Sequence, residues 1–350
     1  MSIFSLYILA LYFFALCAVF VSRFLNIRIG NVLAVLGALT AFGVAAFRPE
    51  YFPDVDTYEV MYEFAASGEF SNPVYWIAHG EPGFKVLSYL ISLAGLSYSS
   101  FLVTMATISF LLLFSISRIS GVPFSYLWFA YFSFYFITRD LGVIRLAIAS
   151  HLIVIFFLQR AVIWQALTLI TASLSFQYFA PVAVLAKPFS RIKIDWFSIS
   201  LLFLISFIST SFISFENFKF MMPEVQVKHY EGTYAFQGGG ASILIPVARN
   251  LFFAFFLYYF YKNKLRFREY RLWIWAAFLS ASFYIMASDI LIIAQRFSAY
   301  FGTVVPLAIA FLMVRRSTRN DNFFLVVTIC LLNFVSLFYF NEWVRLDYKP

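Results

Sequence analysis

The 350-residue chain is 63% apolar and only 12% charged, and its mean hydropathy is +0.85. Soluble globular domains are nearer about half apolar and about a quarter charged. The apolar residues fall into blocks close to the ~20 residues with which a helix crosses about 30 Å of hydrocarbon, and they lack the two-residue period of a membrane strand. This composition excludes a soluble domain, disfavours an outer-membrane barrel and indicates an all-α polytopic membrane protein.

The net charge of +8 does not indicate a nucleic-acid partner, because the basic residues form short clusters between the apolar blocks. Both cysteines, Cys17 and Cys330, lie within apolar blocks, and the three histidines are far apart in the sequence. We therefore expect no disulfide, no bound metal and no cofactor. The first apolar block lacks a basic leader and a cleavage motif, which predicts a retained span.

The hydropathy pattern predicts about 12 crossings in a single membrane-embedded domain over residues 1–350. Both chain ends are expected on the outer side. The predicted full spans are 3–22, 29–47, 100–117, 123–138, 141–158, 161–176, 195–214, 244–261, 272–288, 297–314 and 322–340, with a partial span at 178–187.

The orientation follows from the loops, because basic loops stay in the cytoplasm. The connection 48–82 carries seven acidic residues and one arginine, which predicts an outer loop over 48–99. A second outer loop is expected over 215–243. The predicted cytoplasmic clusters are Arg23 and Arg28; Lys187, Arg191 and Lys193; Lys262, Lys264, Arg266, Arg268 and Arg271; and Arg315, Arg316 and Arg319.

Two segments interrupt the pattern of regular spans. The stretch 84–97 either crosses the membrane or lies along its outer interface. We prefer the interfacial interpretation, because all the short loops then obey the rule that basic loops stay in the cytoplasm. The segment 173–188 is predicted to be a broken helix. Transporters built from two repeats have broken helices at corresponding positions in both halves. No matching break is visible in the rest of this sequence, which argues against such a transporter.

Five arginines remain at the outer ends of spans after this assignment. A charge toward the middle of a span costs roughly 2.5–3.5 kcal/mol on insertion scales, so arginines held there need a reason. One is ion pairing with the outer carboxylates. The other is an anionic ligand, because the guanidinium fork binds phosphate oxygens through two parallel bonds. The five are Arg48, Arg139, Arg145, Arg249 and Arg296.

The acidic outer loop supplies candidate carboxylates. Asp54 and Asp56 precede a helical pattern, in which Val60, Met61 and Phe64 are expected to share one face. One of the two aspartates is a candidate helix cap. Their Asp-x-Asp spacing also occurs in metal–diphosphate sites, although it is common by chance. Glu81 is expected to be a solvated carboxylate at the membrane entry, able to act as a general base toward a sugar hydroxyl.

The order of motifs resembles a known family. The chain reads FRPEYFPDVDTYE and EPGF in the outer loop, then RDLGVIRLAIA, SFQYFAPV at the predicted break, and QRFSAYF. Over residues 45 to about 305 this is similar to the EpsG family, which groups with Wzy-type O-antigen and capsular polysaccharide polymerases.

The resemblance implies site residues. Its arginine at the start of the outer loop corresponds to Arg48, its aspartate to Asp56 and its glutamate to Glu81. Its helix-starting arginine corresponds to Arg145, and its late arginine and tyrosine to Arg296 and Tyr300. Where many members carry a histidine, this chain has Gln177, which hydrogen-bonds a substrate but cannot shuttle a proton.

The implied activity assigns roles to these residues. Catalytic roles are expected for Glu81, Asp56, Arg145 and Arg296, and substrate-binding roles for Arg48, Arg139, Arg249, Tyr300, Gln177 and Tyr58. Asp140 and Asp289 are expected to hold arginines in place.

The resemblance also implies a GT-C-like helical bundle in the bacterial inner membrane. Such a polymerase transfers a growing glycan from undecaprenyl diphosphate to a lipid-linked repeat unit at the outer face, with a chain-length-regulating membrane protein as a candidate partner. A single-sugar lipid-phosphate-dependent glycosyltransferase and a lipid-linked oligosaccharide flippase are the alternatives. The clustering of charge at one interface disfavours the flippase.

The predicted orientation is tested by introducing single cysteines at Ser71, Gly239 and Asn263. With Cys17 and Cys330 replaced by serine, the first two should react with an impermeant thiol reagent in intact cells and the third should not. Labelling at Asn263 alone would reverse the orientation.

Overall fold

A computed structural model describes residues 3–49, 52, 55–69, 81–213, 240–264, 268–288, 290–314 and 320–340. Within these residues all the regular structure is helical. The α-helices are α1 (Ile3–Phe20), α2 (Ile27–Ala46), α3 (Val55–Ala66), α4 (Pro82–Leu93), α5 (Tyr98–Ser120), α6 (Phe124–Tyr131), α7 (Ile144–Leu158), α8 (Val162–Ser175), α9 (Ala186–Phe189), α10 (Trp196–Thr210), α11 (Gly240–Tyr261), α12 (Arg268–Met286), α13 (Leu291–Gly302), α14 (Val305–Val314) and α15 (Asn320–Phe340).

Six helical stretches are long and apolar enough to cross a membrane, which makes this a multi-pass membrane protein. The total of about 12 crossings stays a prediction, since several of the other apolar helices have 15 residues or fewer. The six are Ile3–Leu25, Ile27–Ala46, Tyr98–Ser120, Ile243–Tyr261, Ile293–Val314 and Asn322–Tyr339.

The helices group into two compact units, one of Met1–Tyr178 with Ile309–Pro350 and the other of Phe179–Ala308. In the first unit α1 packs on α2, and α5 packs on α2 and α7. The ring of Tyr12 in α1 stacks on Phe334 in α15, with centroids 3.6 Å apart. Small residues along α2 allow its close approach to α1, because the buried face is mostly alanine and glycine.

In the first unit a long π-helix, Phe132–Gly142, continues directly from α6. The spans predicted at 123–138 and 141–158 placed a helix break at residues 139–140. This is wrong, because the break falls at Val143. The side-chain amide of Asn333 donates to the Ser133 main-chain oxygen at 2.7 Å. This contact ties α15 to the π-helix, a form that occurs frequently at functional sites.

The helix α4 packs against α3, α5 and α8. Its 12 residues span about 18 Å, which is too short to cross the hydrocarbon. Val60 was expected to share a face of α3 with Met61, which is wrong, because Met61 is buried and Val60 is exposed. The face that α3 buries instead consists of Val55, Tyr58, Met61, Tyr62 and Ala65.

The predicted broken helix is present. The helix α8 ends at Ser175, and residues 176–179 connect it to a 3₁₀ helix, Ala180–Leu185, and to the short α9. Pro181 at the start of the 3₁₀ segment cannot donate a main-chain hydrogen bond, which favours a break at this point.

In the second unit, α12 packs against α11 and α13. A buried apolar cluster that includes Tyr284, Ile290 and Ile293 joins α12 to the start of α13. The span predicted at 297–314 begins earlier, at Leu291, and a turn after Gly302 divides it into α13 and α14. The helix α10 is capped by Asp195, whose carboxylate accepts from the Ser198 amide at 2.8 Å.

The close packing of α2 is tested at Gly30. A Cβ atom there would lie 1.9 Å from Ser22 Oγ and 2.6 Å from the Ala18 main-chain oxygen. Gly30→Ala should therefore lower the free energy of unfolding by about 1–3 kcal/mol, the usual cost of overpacking. The measurement is the melting temperature in detergent.

Gly43 on the same helix provides the matched control, because a Cβ there meets nothing within 4 Å. Gly43→Ala should raise stability by up to about 1 kcal/mol through helix propensity. Equal melting temperatures for the two variants would contradict the packing argument.

Candidate active site

An ion pair between Glu81 and Arg145 lies at the centre of the candidate site. The Arg145 Nη1 and Glu81 Oε2 atoms are 2.7 Å apart. Glu81 directly precedes α4, and Arg145 is the second residue of α7, so the pair joins the N-termini of two helices. Glu81 is only 6% exposed, so its expected solvation is wrong. Arg145 lies in the first turn of α7, at the helix-starting position that the resemblance implies.

Each residue of the Glu81-Pro-Gly-Phe motif contributes to holding this pair. Pro82 occupies the first turn of α4, where its fixed φ favours the start of a helix. A Cβ at Gly83 would lie 2.6 Å from the Ser175 Cα atom, so only glycine lets α4 approach the end of α8. Phe84 is fully buried, and its ring centroid is 5.4 Å from the Arg145 guanidinium carbon.

A second arginine approaches the same site through Tyr58. The Tyr58 ring centroid is 5.4 Å from the guanidinium carbon of Arg145 and 5.7 Å from that of Arg48. Tyr58 is buried, so its ring contacts both cations inside the protein. The aromatic face stabilises both guanidinium groups without neutralising their charge.

Arg48 is held by the π-helix. Its Nη1 atom donates to the Asp140 main-chain oxygen at 2.9 Å. The Asp140 carboxylate accepts from Ser109 Oγ at 2.5 Å and from the Tyr131 hydroxyl. Asp140 therefore holds an arginine, as expected, but with its main-chain oxygen, while its carboxylate fixes the π-helix to α5.

Arg139 is the next cation on the π-helix. Its guanidinium carbon lies 3.5 Å from the Tyr135 ring centroid, and its side chain is buried. Arg139 also interacts electrostatically with the Asp140 carboxylate. The π-helix thus brings a buried cation and a buried anion next to each other.

Lys85 was not predicted as a site residue, although it lies one helical turn after Glu81 in the EPGFK sequence. The residue is fully buried, and its main-chain amide donates to the Glu81 main-chain oxygen at 3.2 Å. Burial lowers the pKa of Lys85 from 10.5 to about 8, against the opposing effect of the Glu81 carboxylate.

Among the described residues of the first unit, four basic side chains and two carboxylates are buried or nearly buried. Buried charges are costly unless they are compensated, which is why cations and carboxylates lie together here. The cations are Arg48, Arg139, Arg145 and Lys85, and the carboxylates are Glu81 and Asp140.

The family is decided by a match over nearly the whole sequence. The model of the EpsG family matches residues 31–349. This chain belongs to the EpsG family. No curated protein and no solved structure matches it.

Several residues implied by the resemblance lie in the same unit as the Glu81–Arg145 pair. Arg48 and Tyr58 lie next to it. Gln177, at the break after α8, is buried, and its main-chain amide donates to the Ala172 oxygen at 2.9 Å.

Asp56 lies in the first turn of α3 with an exposed side chain, so it is not the residue that caps this helix. Asp54 lies outside the described residues. The metal interpretation of the Asp-x-Asp pair stays untested for this EpsG-family protein.

The other predicted site residues with a described position belong to the second unit of this EpsG-family protein. Arg249 lies on α11 and interacts electrostatically with Tyr284 on α12. Arg296 lies on α13 and is half-buried, whereas Tyr300, one turn later, is fully buried. Asp289, expected to hold an arginine, lies outside the described residues, as does most of the outer loop predicted at 215–243.

Lys85 predicts a pH dependence of stability. Between pH 8 and 10.5 the unfolded chain binds more protons at Lys85 than the folded chain. The contribution of Lys85 to the free energy of unfolding therefore rises with pH over this range. At pH 7 we expect Lys85→Met to gain stability relative to the wild type because a buried charge is removed. That difference should shrink as the pH rises toward 10.

The measurement is the melting temperature of both proteins in detergent at pH 7, 8, 9 and 10. Lys193→Met, which removes an exposed lysine, controls for the loss of surface charge. If the difference in melting temperature between Lys85→Met and the wild type is constant from pH 7 to 10, the prediction that Lys85 is buried and titrates in this range is wrong.

Proposed function

We propose that this EpsG-family protein is a polysaccharide polymerase. It transfers a growing glycan from undecaprenyl diphosphate to the terminal sugar of a lipid-linked repeat unit, at the outer face of the bacterial inner membrane. The product is an O-antigen, a capsule or an exopolysaccharide. The observation that carries the proposal is the buried carboxylate of Glu81 beside the guanidinium groups of Arg145 and Arg48 in a protein whose family comprises Wzy-like polymerases.

The transfer needs stabilisation of a leaving diphosphate. The acceptor hydroxyl oxygen forms a bond to the anomeric carbon of the donor, and the bond from that carbon to the diphosphate oxygen breaks. Negative charge grows on the leaving diphosphate, which fixed cations stabilise. Arg145 and Arg48, whose guanidinium carbons lie 5.4 Å and 5.7 Å from the Tyr58 ring centroid, supply this charge.

The same transfer needs a group that accepts the acceptor proton. Glu81 is the buried carboxylate within reach of this cation cluster, and it accepts the proton as the new glycosidic bond forms. In the structure Glu81 is held by Arg145. When the donor diphosphate engages Arg145, the Glu81 carboxylate is released for the acceptor hydroxyl, so that donor binding precedes acceptor activation.

Other residues of the first unit have supporting roles in the proposal. Arg139 adds positive charge for the diphosphate, Gln177 orients substrate, and Asp56, exposed on α3, is the alternative base. In the second unit, Arg296 is proposed as catalytic, and Arg249 and Tyr300 as substrate-binding. The protein is proposed to work without metal or cofactor, together with a chain-length-regulating membrane protein.

Two alternative activities are separated by the glycan products of a deletion strain. Loss of a polymerase leaves one repeat unit capped on the carrier or core, whereas loss of a flippase leaves none. A single-sugar lipid-phosphate-dependent transferase would leave a truncated repeat unit.

The leaving-group role is tested by Arg145→Lys. Lysine retains the charge and still pairs with Glu81, so the protein level should be unchanged, but the two parallel bonds to a diphosphate are lost. The rate of polymerisation by the purified protein should fall by about 10²–10³, the usual effect of removing one donor in a preorganised site. Arg296→Lys tests the second unit in the same assay.

Arg118→Lys is the matched control, because Arg118 is exposed at the end of α5. Glycan ladder length and membrane protein level are measured together for all three variants. Full-length ladders from Arg145→Lys and Arg296→Lys at normal protein level would disprove the leaving-group role.

A further inference from the structure

The break after α8 contains an aromatic residue, Tyr178, that has no role in the proposed mechanism. Tyr178 lies among the residues that connect α8 to the 3₁₀ segment, and its main-chain oxygen accepts from Ser173 Oγ at 3.1 Å. The chain turns tightly here, since the amides of both Phe176 and Gln177 donate to the Ala172 oxygen. Tyr178 is therefore held at a defined position on the folded-back end of α8.

That position is next to the candidate site. The end of α8 meets the start of α4 so closely that a Cβ on Gly83 would lie 2.6 Å from the Ser175 Cα atom. Glu81 is two residues before Gly83, and Tyr178 is three residues after Ser175. Tyr178 interacts electrostatically with both members of the Glu81–Arg145 pair.

Tyr178 is exposed beside a buried ion pair. Its side chain is 48% exposed and that of the next residue, Phe179, is 42% exposed, whereas Glu81 and Gln177 are buried. Irregular backbone at membrane depth is tolerated where it is buried in protein or lines an aqueous cavity. The exposed ring of Tyr178 is therefore accessible to a ligand that approaches the pair.

We propose that Tyr178 binds the terminal sugar of the acceptor by stacking its ring on the apolar face of the pyranose. A tyrosine offers a large rigid apolar face with a polar hydroxyl at its edge, which matches a sugar with one apolar face and a polar rim. The sugar is the acceptor's because Tyr178 lies beside Glu81, the proposed proton acceptor. This inference rests on the proposed polymerase function and makes Tyr178 a substrate-binding residue of that site.

The test separates acceptor from donor. The acceptor is a benzyl glycoside of the repeat-unit glycan, which has no diphosphate and cannot act as donor. The donor is the lipid-linked repeat unit from the deletion strain. For Tyr178→Ala and Tyr178→Leu, the KM for the benzyl glycoside should rise about 3- to 10-fold, the loss expected for one aromatic stacking contact, with kcat within twofold of the wild type.

Two variants serve as controls. Tyr178→Phe keeps the ring and should retain the wild-type KM within about twofold. Trp164→Ala removes a 57%-exposed aromatic residue from the same helix, α8, and should leave both constants unchanged.

Leucine fills most of the same volume, so Tyr178→Leu keeps the test valid if the alanine variant folds poorly. A rise in the KM for donor and acceptor alike, a fall in kcat alone, or an unchanged acceptor KM in both variants would overturn the stacking role. If the wild-type protein does not extend the benzyl glycoside or polymerise the lipid-linked unit, the proposed function itself fails.

Discussion

The ion pair between Glu81 and Arg145 is the interaction on which the first unit depends. Removing either partner would leave the other charge uncompensated in a buried position, which is strongly destabilising. The EPGF motif places the carboxylate at the start of α4, and the end of the π-helix places the arginine at the start of α7. Two local backbone features, the helix start at the EPGF motif and the break before α7, therefore determine a contact between residues 64 positions apart in the sequence.

Much of the helical fold could be predicted from the sequence, because long apolar blocks leave a membrane-embedded chain few alternatives. Most predicted spans end within a few residues of a helix end, and the break after α8 was predicted. The π-helix was not predicted. Its 11 residues have no signature in hydropathy, so Arg139 and Asp140 were expected between two spans, at the start of the second, where the structure has a continuous buried helix.

Several charged residues of the candidate site could be predicted from the sequence, but the contacts that they make could not. Arg48 and Arg145 could be singled out from the cost of placing arginines in a membrane. Whether Asp140 would hold an arginine by its carboxylate or its main chain could not, because that depends on the Ser109 and Tyr131 hydroxyls on other helical turns. Lys85 escaped attention because a lysine in an amphipathic helix is ordinarily at the surface.

The π-helix also makes the spacing of the site residues intolerant of small length changes. In an α-helix each residue advances the side-chain direction by about 100°, so losing one residue between Phe132 and Gly142 would turn the segment that precedes it by that angle relative to α7. Arg139 and Asp140 would then face different neighbours from those that now hold them. Members of this family can therefore be expected to accept substitutions in this segment more readily than insertions or deletions, even where its hydrophobicity is fully preserved.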